Sequence, residues 1–137
     1  MIFNTNKEKG NTGLSIAIAY FGSNGYTVSL PINDTQDYDL IVDKDDIVSR
    51  VQVKFTAFKE YENSYKVSLQ SSGGTSGKVY KNFINTNVEL LFIVCSNKTL
   101  FLFPKEVITQ KSNMSVSTEK SKFSTNKLDT SEYVVVI

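Results

Sequence analysis

One stretch of this chain has helical period, and almost everything after it has strand period. That succession limits the fold more than any other feature. Between Asn11 and Ser23, residues Leu14, Ala17, Ile18 and Phe21 recur at i, i+3, i+4 and i+7, the spacing of one helix face. Ile16, Ala19 and Tyr20 widen that face, so the helix is expected to be well buried. Asn11 or Thr12 is the expected N-cap, and Gly22, Asn24 and Gly25 supply the C-terminal stop. Strand-like runs follow at Tyr26–Leu30, Tyr38–Asp43, Ser49–Phe55 and Tyr65–Gln70, and more apolar ones at Val88–Cys95, Thr99–Phe103 and Tyr133–Ile137. Lys44-Asp45-Asp46 reads as a hairpin turn, and Asn97-Lys98 as a second. Pro104 is placed to open a short helix through Ile108. Ser71–Lys78 and Lys111–Asp129 read as loops by composition. A helix, a strand hairpin and further strands predict an α/β or α+β fold with a mixed central sheet.

At 137 residues the chain is expected to form one domain. Its residue inventory removes whole classes of chemistry. There is no His, so a Ser-His-Asp triad, a Cys-His dyad and an imidazole metal site are all excluded. The lone Cys95 forms no intrachain disulfide and sits in an apolar run, which predicts a buried small hydrophobe. A metal would have to be held by oxygen ligands, which favours Mg, Ca or Mn over Zn. No run of 18 apolar residues is present, so no membrane-spanning segment or membrane partner is expected. The first residues lack the regions of a signal peptide, so the expected location is cytoplasmic.

Three side chains stand together on the page. Asp39 lies in the run Tyr38–Asp43, and Gln52 and Lys54 lie in the run Ser49–Phe55. Alternation puts Gln52 and Lys54 on one strand face, with Val51, Val53 and Phe55 turned to the other, towards a core. A hairpin brings Asp39 beside them. A carboxylate, an amide oxygen and an ammonium make a set suited to phosphodiester hydrolysis. Asp39 and Gln52, with the Val53 carbonyl, could ligate a hard cation. Lys54 could orient or help deprotonate the attacking water, or stabilise transition-state charge. Spacing alone does not separate this set from a solvated strand end.

In order along the chain come a helix opening with Gly10-Asn11-Thr12-Gly13, then Gly25-Tyr26-Thr27-Val28, Tyr38-Asp39-Leu40-Ile41-Val42-Asp43 and Val51-Gln52-Val53-Lys54. This series resembles the PD-(D/E)xK nuclease superfamily, and within it the cyanobacterial branch of group I intron-encoded homing endonucleases. The resemblance covers about the first 56 residues well and the later strands more loosely. It implies a restriction-endonuclease-like core, a mixed central sheet flanked by helices. It implies a Mg-dependent (or Mn-dependent) endonuclease acting on double-stranded DNA, with a motif core at about 8–56. Residues 57–137 would then carry DNA-contacting and oligomerisation elements. By position, Asp39 matches the motif aspartate that binds metal and Lys54 the motif lysine. Gln52 stands where most of the superfamily has Asp or Glu, a departure the intron-encoded branch shares. The acid many such nucleases carry on the first helix falls on Leu14, which has no ligating atom. Glu8 is the nearby substitute, or else a favourable charge near a helix N-terminus.

Cutting two strands with one site per chain favours a homo-oligomer, a dimer or a tetramer. The alternatives are a junction resolvase, a restriction enzyme, or a DNA-binding module of the same fold without catalysis. The net charge of +1 hides an asymmetry: residues 1–56 hold five basic against seven acidic side chains, and the remainder ten against seven. Lysines of the later part are expected to meet phosphates. Gln36, Ser72, Gly73, Lys78 and Lys81 are the candidate DNA contacts. Asp34 and Asp37, flanking Asp39 in a polar loop, are first of all turn formers.

Overall fold

The computed structural model describes residues 5–73, 79–120 and 128–137. Chain order is α1 (Asn6–Ser23), β1 (Thr27–Ser29), β2 (Leu40–Lys44), β3 (Ile47–Thr56), β4 (Lys59–Tyr61), β5 (Ser64–Ser68), β6 (Gln70–Gly73), β7 (Val79–Asn82), β8 (Leu90–Cys95), β9 (Leu100–Pro104), β10 (Asn113–Ser117) and β11 (Val134–Val135). Short 3-10 turns lie at Phe83–Asn85, Lys105–Val107 and Thr130–Tyr133.

The central sheet has six strands in the order β1-β2-β3-β8-β9-β11. It is mixed: β3 runs parallel to β8, and the other neighbours are antiparallel. The β2–β3 hairpin turns on Asp45 and Asp46, whose φ angles of 54° and 65° are those a two-residue primed turn demands. Alternation along β8 sends Phe92 and Val94 to one face and Leu91, Ile93 and Cys95 to the other. Helix α1 covers the first face with Ala17 and Phe21, which meet Leu40, Val42, Val51 and Phe92. Phe21 and Phe92 lie 5.6 Å apart between centroids, and Tyr20 approaches both rings. Gly13 is buried against β3, where a Cβ would make ordinary contact with Val53 Cγ1 at 3.5 Å.

Among the described residues one α-helix, α1, flanks the sheet. The second face is covered instead by a three-stranded sheet, β10-β5-β4. Tyr65, Val67, Met114 and Val116 pack from it onto Leu91, Ile93, Phe101 and Phe103. The long loop expected over Lys111–Asp129 thus contains β10, fully paired with β5 from Asn113↔Ser68 to Ser117↔Ser64. Part of the Ser71–Lys78 loop is likewise strand, because β6 pairs with β7 in a small hairpin. Pro104 closes β9 and caps a 3-10 turn in place of opening a helix. Helix α1 begins five residues before its expected start, capped by Thr5 and not by Asn11 or Thr12.

Candidate active site

The site forms where β2 stops and β3 continues. The ladder pairs Leu40 with Val51, and the Asp39 N–H extends it by donating to the Val51 carbonyl at 2.8 Å. Asp39 therefore shares Val51 with Leu40 at the end of the ladder. Beyond this point no further strand among the described residues pairs with β3 on that side. The Val53 N–H, which a longer β2 would have taken, donates to Asp39 Oδ2 at 2.7 Å. A strand residue points its N–H and C=O at the same neighbour, so the Val53 carbonyl faces the same open edge. Asp39, Gln52, Val53 and Lys54 are thus gathered as the sequence predicts. Val51 is buried on the helix side, with Val53 and Phe55 packed beside it.

Gln52 is only 6% exposed. Its Nε2 donates to the Asp37 carbonyl at 3.1 Å. Its Oε1 is buried and accepts no hydrogen bond among the described residues. Leaving such an oxygen unpaired costs about 1–3 kcal/mol. Lys54 extends beneath the small hairpin and donates from Nζ to the Gln70 carbonyl at 3.1 Å. Burial lowers the Lys54 pKa from the ordinary lysine value, and the Asp39 charge opposes this. Asp39 reaches solvent, yet protein crowds its carboxylate. The lost hydration raises its pKa, against the Val53 N–H and then the Lys54 ammonium, which lower it.

The donor set fits a hard divalent cation. Its oxygens are one carboxylate, one amide oxygen with a vacant lone pair and one open-edge carbonyl, a chemistry that suits Mg or Mn. Among the described residues, no three Asp, Glu, Cys or His side chains gather as a metal cluster. Cys95 is buried in the core and its thiol is pushed up to about 12 by that burial, so it takes no part.

The remaining candidates are placed as follows. Glu8 occupies the third position of α1, accepting from the Thr5 N–H at 3.0 Å while Thr5 Oγ1 accepts from the Glu8 N–H at 3.2 Å. This is a capping box. Leu14 packs against the helix-side core. Gln36 ties its own loop, donating to the carbonyls of Asn33 at 2.6 Å and Tyr38 at 3.4 Å. Lys81 pairs with Asp37 Oδ2 at 2.7 Å. Ser72 and Gly73 lie in β6, and Lys78 lies outside the described residues. The Asp37 and Gln70 carbonyls are contacts the sequence gave no sign of, because any residue type supplies them.

A groove of about 670 Å³ opens between the start of α1 and the three-stranded sheet, with Gln70, the anchor of Lys54, in its lining. Lys9, Lys66, Ser68, Gln70 and Asn113 line it with the Phe58 ring, and none of its lining residues is acidic. Lys66 Nζ stands 5.8 Å from the centre of the Phe58 ring.

The family model of PD-(D/E)XK endonucleases matches residues 4–133, and the chain belongs to that family. Such enzymes are nucleases, and in general they use divalent metal ions. Among solved structures, a bacterial homing endonuclease, I-Ssp6803I, shares the fold with a TM-score of 0.68 at 23% identity, over 95% of this chain and 87% of its own. The restriction-endonuclease-like core is thereby established. MepB aligns with a TM-score of 0.38 at 16% identity, over 86% of this chain and 87% of its own. No curated protein matches the chain. Among the described residues, no helix is long and apolar enough to cross a membrane.

Proposed function

We propose that this chain is a divalent-metal-dependent endonuclease acting on double-stranded DNA. The observation that carries the reading is the buried Gln52 Oε1, unpartnered among the described residues, one residue before the Val53 N–H that holds the Asp39 carboxylate. Asp39, Gln52 and the Val53 carbonyl would hold the cation. It would polarise a phosphoryl oxygen and acidify the attacking water.

The chain's own groups do the rest. Val53 N–H fixes one Asp39 oxygen, leaving the other to turn outwards. The Asp37 carbonyl accepts only from an N–H, so it holds Nε2 and turns Oε1 away from itself. Lys54, anchored on Gln70, carries a proton and a positive charge to the edge where the phosphate would lie, and it orients water or offsets charge there. Glu8 serves the helix first, and as an extra ligand it would exchange the Thr5 N–H for the cation. The groove of Lys9 and Lys66 would give the DNA backbone an acid-free wall that includes Gln70, the anchor of Lys54.

Mg is the expected ion, with Mn able to replace it. A homo-oligomer would present two sites to the two strands. The resemblance to intron-encoded enzymes favours a homing endonuclease over a restriction enzyme or a junction resolvase. Randomised duplex DNA incubated with the protein and Mg, followed by sequencing of the cut ends, tests the proposal. Long, defined sites are expected. Cleavage that survives chelation, or that is equal in wild type and Lys54→Ala, overturns it.

A further inference from the structure

Lys81 was a candidate DNA contact, but its ammonium is already engaged by Asp37 Oδ2 at 2.7 Å. Asp37 is the residue whose carbonyl takes Gln52 Nε2 at 3.1 Å. Lys81 lies on β7, whose partner β6 begins at Gln70, the residue whose carbonyl takes Lys54 Nζ at 3.1 Å. The two strands are locked at their base. Gln70 pairs with Asn82 and donates from Nε2 to Asn82 Oδ1 at 3.2 Å, and Ser71 pairs with Lys81. One small hairpin thus grips Lys54 directly and Gln52 through Asp37.

We propose that Asp37 and Lys81 are positioning residues. Their ion pair ties the hairpin to the loop before β2 and so fixes the direction of Gln52 Oε1 relative to the Lys54 ammonium. The inference rests on the nuclease reading of this site and extends it to two residues outside the motif. The side chains of the pair are 45% and 35% exposed. A pair so exposed contributes little to stability. Its larger effect is geometric: Asp37 sits in an irregular loop between β1 and β2, with no ladder to hold it. A catalytic arrangement displaced by about 1 Å loses on the order of a hundredfold in rate.

The test compares Lys81→Met, Asp37→Asn, the double variant, Lys81→Arg and the charge swap Asp37→Lys with Lys81→Asp. Three quantities are read: duplex affinity with its salt dependence, single-turnover cleavage at saturating DNA and Mg, and the 1H–15N resonances of the Gln52 side-chain amide without metal. Positioning predicts that each single variant loses about tenfold in single-turnover rate, by a displacement smaller than 1 Å. The double variant then loses no more than either single one. Lys81→Arg and the charge swap restore the rate, affinity stays within about twofold, and the Gln52 amide resonances move in both single variants. A phosphate contact predicts otherwise: Lys81→Met alone weakens binding and lowers the salt slope by about one, Asp37→Asn does not, and the Gln52 resonances stay in place. That result overturns the inference. A wild type that cuts no DNA in Mg or Mn defeats the nuclease reading, while the resonances still decide the positioning.

Discussion

Gln52→Met isolates the unpartnered oxygen. Methionine has nearly the length of glutamine and adapts to the same slot, so packing changes little. Two polar terms change. Removing Oε1 relieves a buried acceptor with no partner, worth about 1–3 kcal/mol. Removing Nε2 loses its bond to Asp37, worth about 0.5–1.5 kcal/mol, and water can reach that loop carbonyl. Without metal the variant should be as stable as wild type or up to about 2 kcal/mol more stable. For a chain of this size that is a rise of up to about 6 °C in Tm. With Mg at about ten times its Kd, wild type gains about 1.4 kcal/mol by linkage, and the variant gains clearly less. Thermal unfolding in chelator and in a Mg series measures both. The reasoning fails if the variant is more than about 1 kcal/mol less stable in chelator, a typical loss for a satisfied hydrogen bond. It fails equally if Mg stabilises both proteins by the same amount.

Three further outcomes follow from the same geometry. The Asp39 pKa is raised in the folded chain, so its ionised form is disfavoured there and weakens the metal-free protein above the folded-state pKa. That penalty fades as pH falls through the raised pKa and is gone below the unfolded value. Asp39→Asn keeps an acceptor for Val53 N–H and should raise metal-free Tm at pH 7, with a smaller difference below about pH 4; an unchanged difference across that range argues against it. Lys9→Ala and Lys66→Ala should each weaken duplex binding at every sequence and lower the salt slope by about one, read by titration at several ionic strengths; unaltered slopes place the backbone elsewhere. Phe92→Ala, in the ring cluster with Tyr20 and Phe21, should cost about 3–5 kcal/mol in denaturant unfolding; a loss under about 1 kcal/mol would mean the cluster closes over the gap.

The motif strand was legible because β3 alternates cleanly: Val51, Val53 and Phe55 against Gln52 and Lys54. The hairpin turn was legible because Asp45 and Asp46 tolerate the positive φ it needs. The start of α1 was misread for a physical reason. Apolar periodicity begins only at Leu14, whereas the true start is set by the polar capping box of Thr5 and Glu8. Strand β10 was hidden by its composition. Met114 and Val116 are its buried residues, and Asn113, Ser115 and Ser117 alternate with them. That alternation is a strand pattern, but it spans five residues inside a run of Ser, Thr, Asn and Lys, and pairing with β5 is what makes it a strand. The contacts of Lys54 and Gln52 with the Gln70 and Asp37 carbonyls are tertiary, so only the fold discloses them.

The parallel pairing of β3 with β8 also sets when the site comes into being. Val51 meets Leu90 and Thr56 meets Cys95, across β4 to β7. Helix α1 and the β1–β3 meander can form from near neighbours, whereas this join must close a long loop before any contact rewards it. On the ribosome, Gln52 and Lys54 emerge well before the strand that fixes their backbone and before the hairpin residue that anchors the lysine. A chain interrupted ahead of β8 carries every motif residue but no rigid centre to hold them. The ability to cut is thus a late property of the growing chain, withheld from its fragments by topology.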